Sequence, residues 1–162
     1  MNLGTIENYE RALRIKQKCD VLCIPLPVEF KINEENKEVI LLPVSDRKIT
    51  TFEIPDFITM IDEWAFESCY KLQAVIIPDS VKRIGIGAFH DCTLLKQVKL
   101  PCDISIILEQ TFSGCRSLEK IDIGDKVKEI QDWAFRRTKI KENMIPDTVE
   151  NVSSLAFAWF WD

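Results

Sequence analysis

Apolar and polar residues alternate in short blocks that recur along most of this chain. Five blocks follow the order apolar-x-x-apolar-x-apolar: Ile49–Ile54, Leu72–Ile77, Leu95–Leu100, Leu118–Ile123 and Ile140–Ile145. The last four residues of each alternate in and out, the period of a half-buried strand. The fifth block departs from this, because polar Asn143 stands where an apolar residue belongs. Proline follows at Pro55, Pro78, Pro101 and Pro146, with Gly124 in the remaining slot. It closes each strand, having no backbone N–H to give a ladder. Apolar pairs three apart come next (Val81 and Ile84, Val127 and Ile130, Val149 and Val152), a spacing that suits an irregular or short-helical opposite side. Phenylalanine completes the unit at Phe66, Phe89, Phe112, Phe135 and Phe157, in steps of 23, 23, 23 and 22 residues. A fixed period of this size predicts a solenoid of stacked coils, each too small to bury its own apolar face.

The first part of the chain lies outside that period. Residues 5–19 read as a helix that Thr5 can cap, with Ile6, Tyr9, Leu13 and Lys16 on one face and Arg11, Arg14 and Lys18 on another. Two readings of it stand: a solvated helix covering the first coil, or a basic helix that docks a partner. Val28–Ile32 alternates as a strand, Asn33–Asn36 supplies turn residues, and Val39–Leu42 can return as a second strand. Residues 1–45 are therefore expected to form a capping helix and hairpin, and residues 46–162 the solenoid, as one structural unit.

The run Ile77-Pro78-Asp79-Ser80-Val81-Lys82-Arg83-Ile84-Gly85-Ile86-Gly87-Ala88-Phe89-His90-Asp91-Cys92 resembles the BspA-type (Treponema-type) leucine-rich repeat. About five copies in register carry the resemblance. Departures are local: Cys102-Asp103-Ile104 replaces the usual Asp/Asn-Ser-Val, and Thr138 stands in the cysteine slot of the fourth coil. The resemblance implies an α/β repeat solenoid, a right-handed coil with a parallel sheet on its concave side. It also implies a protein that binds other proteins, often at a cell surface, with no catalysis through its repeats.

Composition narrows the function further. The net charge is -5, with acids and bases interleaved, so no basic stripe announces direct nucleic-acid binding. No apolar stretch approaches the roughly 20 residues of a membrane span. Residues 1–7 have neither a basic nor an apolar leader region, which reads as cytoplasmic; a missing precursor segment would move the expectation to the surface or outside. Cys69, Cys92 and Cys115 each follow the repeat phenylalanine by three, so they read as small buried hydrophobes in one ladder. Cys19, Cys23 and Cys102 lie outside that register. Without a CxxC pair, and with His90 as the single histidine, no zinc ligand set forms and no cofactor is expected.

Catalysis finds no footing. His90 is predicted on the convex side while Cys92 points into the ladder, so the two share no pocket. The adjacent carboxylates Asp62-Glu63 and Glu34-Glu35 point to different sides. None of the five glycines lies in a phosphate-binding order.

The candidate site is instead the set of outward strand positions: Thr51 and Glu53, Ala74 and Ile76, Gln97 and Lys99, Lys120 and Asp122, Glu142 and Met144. Ile76 and Met144 amid charged neighbours read as the apolar centre of a protein interface, although single exposed apolar residues also occur without function. Trp159 and Trp161, flanking Phe160, read either as a plug over the last coil or as exposed anchors for a partner or a second copy. Three roles follow: an intracellular adaptor or steric inhibitor, a surface or secreted adhesin, and an acidic decoy for a nucleic-acid-binding protein.

Overall fold

A computed structural model describes residues 3–22 and 28–158. Helix α1 spans Leu3–Leu22, so it begins before Thr5, which lies inside it and not at its cap. Its packed face also differs from the expected one. Ala12 is fully buried, Cys19 is buried and Ile15 packs on the core, whereas Ile6 and Leu13 remain exposed. The Ala12 side chain is a single methyl, so it does not hold the helix away from β2. Arg11 ties the helix down through Asp56 at 2.6 Å, and Lys37 lies over the Tyr9 ring at 4.5 Å.

Strands β1 (Phe30–Asn33) and β2 (Glu38–Leu41) form the expected antiparallel hairpin, with Phe30 opposite Leu41. Asn33 and Asn36 fold the turn by accepting backbone N–H bonds from Glu35 and Glu38. The hairpin then becomes the start of a parallel ladder, because β2 pairs with β4 (Met60–Ile61), which pairs with β6 (Arg83–Ile84). Buried Thr59 secures the junction. Its hydroxyl accepts the Val39 N–H at 2.8 Å and donates to the Val39 carbonyl at 3.3 Å.

From there the chain winds through about five coils with two ladders of short parallel strands. The first uses the apolar-x-x-apolar-x-apolar blocks: β3 (Thr51–Glu53) pairs with β5 (Ala74–Ile76), and β7 (Gln97–Lys99) with β9 (Lys120–Asp122). The side expected to be irregular carries turns and, in addition, the second ladder. There β8 (Ile106–Ile107), β10 (Glu129–Ile130) and β11 (Asn151–Val152) continue the order. Both ladders are interrupted at the same place, between coils two and three: β5 and β7 lie side by side without pairing, and β6 and β8 are not paired either.

The turns bridge that seam. Gly87 and Phe89 donate to the carbonyls of Glu109 and Thr111, at 3.0 and 2.9 Å. The phenylalanine column crosses it as well. Phe66, Phe89, Phe112 and Phe135 are fully buried and stack face to face at 5.0, 5.5 and 5.8 Å, and Phe157 extends the stack at 5.6 Å. A 23-residue step repeats the same side-chain direction in each coil. That repetition makes parallel offset stacking possible where an irregular core would favour edge contacts.

The cysteine column lies beside it and is inert. The Cys92 and Cys115 thiols donate to the carbonyls of Phe66 and Phe89, one coil back, at 3.1 and 3.0 Å. The thiol contact with Cys115 and burial push Cys92 far above its ordinary range, and burial raises Cys69 too. Thr138 substitutes in the fourth coil by bonding the Phe135 carbonyl of its own coil at 2.8 Å.

Candidate functional site

Register fixes which outward side chains are neighbours. Thr51 stands beside Ala74 and Glu53 beside Ile76; Gln97 stands beside Lys120 and Lys99 beside Asp122. The intervening Val75 and Val98 are buried, so the alternation predicted for these strands holds. All eight outward residues are exposed. Ile76 is 60% exposed, the largest fraction among the exposed large hydrophobic residues described.

Glu142 and Met144 do not continue the row. Asn143 breaks the apolar pattern, and Glu142–Met144 forms a single 3-10 turn in place of a fifth strand. Met144 is exposed but belongs to no ladder. Trp159 and Trp161 lie outside the described residues.

Two apolar residues that the strand rule passes over join the surface. Tyr70 and Leu94, just before β5 and β7, are 53% and 43% exposed. Leu94 had a sequence signal in the Leu94-Leu95 doublet, since only one of two adjacent residues can enter the core. Tyr70 directly follows the Cys69 slot and had none. Between the blocks lies a shallow hollow of about 420 Å³ over the seam, lined by Gln73, Ala74, Lys96, Gln97, Glu119 and Lys120. Ala74 makes room for it.

Charge is distributed unequally between the two sides. Segments 71–76 and 93–99 carry Lys71, Lys96 and Lys99 and no carboxylate. Along the second ladder a groove of about 610 Å³ is lined by Glu109, Glu129, Asp132 and Glu150, among others.

The groups considered for chemistry stay apart. His90 Nδ1 is 3.7 Å from Asp91 Oδ2, and its ring meets the edge of Trp64, whereas Cys92 points into the core. Asp62 is engaged by Lys31 at 2.9 Å. Among the described residues no cluster of three or more His, Cys, Asp or Glu could hold a metal ion. No described helix is long and apolar enough to cross a membrane.

The profile of the BspA type leucine rich repeat region matches residues 45–160 in six copies, one more than the five apolar-x-x-apolar-x-apolar blocks. No curated protein matches the chain. Among solved structures, a leucine rich cell surface protein from Faecalibacterium prausnitzii A2-165 superposes with a TM-score of 0.62 at 29% identity, over 77% of this chain. A leucine-rich repeat protein from Bacteroides ovatus gives 0.70 at 27% identity over 80% of this chain. The chain spans only 37% of the length of each.

Proposed function

The chain belongs to the BspA-type leucine-rich repeat family, and on that footing we propose that it is a non-enzymatic module binding another protein through the first ladder. Ile76 carries the reading. It is 60% exposed at the middle of a strand row whose other members are polar or small. Together with Tyr70 and Leu94 it supplies an apolar centre within a charged rim, the usual anatomy of a protein interface. Such a module acts as an adaptor or as a steric inhibitor of its partner.

Ile76→Glu tests this, with Met144→Glu as companion and circular dichroism as the check on folding. Capture of the partner from source cells should fall at least tenfold for Ile76→Glu, the ordinary cost of placing a charge at an interface centre. Undiminished capture by both variants would refute the reading.

A second reading, attachment at a cell surface, draws on the description of the Faecalibacterium protein as a cell surface protein. The decoy reading would draw on the acidic groove along the second ladder, where Glu150 is already paired with Lys128.

A further inference from the structure

The side chains around Ile76 also specify what kind of partner fits. Several cations in the described structure are held in ion pairs: Arg11 with Asp56, Lys31 with Asp62, Lys82 and Lys126 with Asp103, Lys128 with Glu150 and Lys139 with Glu119. The first-ladder side gathers five that are not. Lys71, Lys96, Lys99, Arg116 and Lys120 are exposed, and none has a side-chain ion pair or hydrogen bond within the chain. Lys96 and Lys120 line the hollow over the seam, and Lys71 and Lys99 lie in the same two segments as the exposed Ile76 and Leu94. In a chain of net charge -5, an unpaired cationic patch on one side is a departure from the average surface.

Its carboxylates are placed to bound the patch rather than neutralise it. Glu53 lies in coil one, Asp122 stands beside Lys99 without bonding it, and Glu119, which lines the hollow, is paired with Lys139 at 3.2 Å. Neighbouring strands are about 4.8 Å apart, so these cations fall within roughly two to three strand widths. Flexible lysines held apart in this way gain most from a partner that brings carboxylates.

We propose that the first ladder recognises an acidic protein segment bearing an apolar anchor. The anchor seats against Ile76 and the hollow floored by Ala74, and the flanking carboxylates pair with Lys96, Lys99 and Lys120. This rests on the protein-binding reading above and adds the chemistry of the partner. A nucleic acid fits less well, because Glu53 and Asp122 bound the patch and its centre is aliphatic, whereas phosphate recognition extends along a continuous basic track.

A library of random 12-residue peptides displayed on phage, selected on the immobilised protein, provides the probe. Selected sequences should be enriched in Asp and Glu around an aliphatic or aromatic residue. Synthetic copies should bind at least tenfold more weakly to Lys96→Glu/Lys99→Glu and at 300 mM salt than to the unchanged protein at 50 mM. Lys16→Glu on α1 should leave binding unchanged. Peptides that lack acidic enrichment but are lost with Ile76→Glu would overturn the charge inference and leave the protein-binding reading intact. Peptides indifferent to Ile76→Glu and to both lysine changes would overturn the two together. Failure to select any peptide, or tighter binding of a random single-stranded oligonucleotide to the same lysines, would count against an acidic protein partner.

Discussion

Gly87→Ala isolates a contact that holds successive coils together. Gly87 sits at φ +60, two residues before Phe89. The left-handed backbone alone does not demand glycine, because Trp64, Gln110 and Trp133 occupy the equivalent slot at φ 56. The indole of Trp64 does. It lies across the coil so closely that a Cβ at residue 87 would stand 2.3 Å from two ring atoms. The ring must therefore swing outward. It would lose its half-buried packing and its edge contact with His90, where the centroids are 5.5 Å apart. The lost aromatic burial amounts to about 1–2 kcal/mol. A left-handed alanine adds about 1 kcal/mol, partly offset by the stiffer unfolded chain. The expected loss is about 2 kcal/mol, read from urea titrations by circular dichroism at unchanged m. A red shift of tryptophan emission should accompany it. In Trp64→Ala/Gly87→Ala the clash is absent, so the double variant should be about 1 kcal/mol more stable than additivity predicts. Additive losses would refute the argument that the indole dictates this glycine.

The remaining predictions concern the core and the surface ion pairs. Phe89→Ala removes a fully buried ring stacked on both sides and should cost about 3–5 kcal/mol, whereas Phe157→Ala, half-buried with one described stacking neighbour, should cost about half that. Equal losses in denaturant titrations would show that the column is not stabilised by two-sided stacking. Asp103 is held down to about 2 by hydrogen bonds from Lys126 and then Lys82. A depressed folded-state pKa gives stability that is present above the ordinary carboxylate value and lost as pH falls through the folded value. Asp103→Asn should therefore flatten the melting temperature between about pH 4 and pH 2. The effect should be small and erased by salt, because the group is exposed; a slope unchanged by the substitution would exclude the pairing.

Most of the solenoid was legible because its period is written in side-chain chemistry. Phe66, Phe89, Phe112 and Phe135 repeat at 23, and each is fully buried. The second ladder was not legible, since two-residue strands such as Arg83–Ile84 leave too short an alternation to register as period two. The packed face of the helix differs from the expected one for another reason. Ile6 and Leu13 look like core by size, yet close approach to the sheet favoured Ala12. At the candidate site, the strand alternation placed Ala74, Ile76, Gln97 and Lys99 correctly. It could not foresee that Asn143 would convert the fifth block into a turn, nor which lysines lack partners. Pairing depends on neighbours one coil away, which register alone brings together.

The seam between coils two and three has a mechanical consequence. Between coils one and two, and between three and four, bending the stack stretches two rows of peptide hydrogen bonds at once, so the solenoid resists there. At the seam no ladder joins the two parts; among the described residues they are held by turn hydrogen bonds, the Cys115 thiol, the Lys82–Asp103 ion pair and the stacked rings of Phe89 and Phe112, 5.5 Å apart. With neither ladder continuous there, the stack bends most easily at this joint, beneath Ile76 and the hollow. The Ile77 amide should then exchange with solvent faster than those of Ile54 and Leu100, which hold ladder bonds of 3.0 and 2.9 Å to the next coil. A surface with a joint at its centre can alter its curvature to meet a partner while both flanking pairs of strands stay intact.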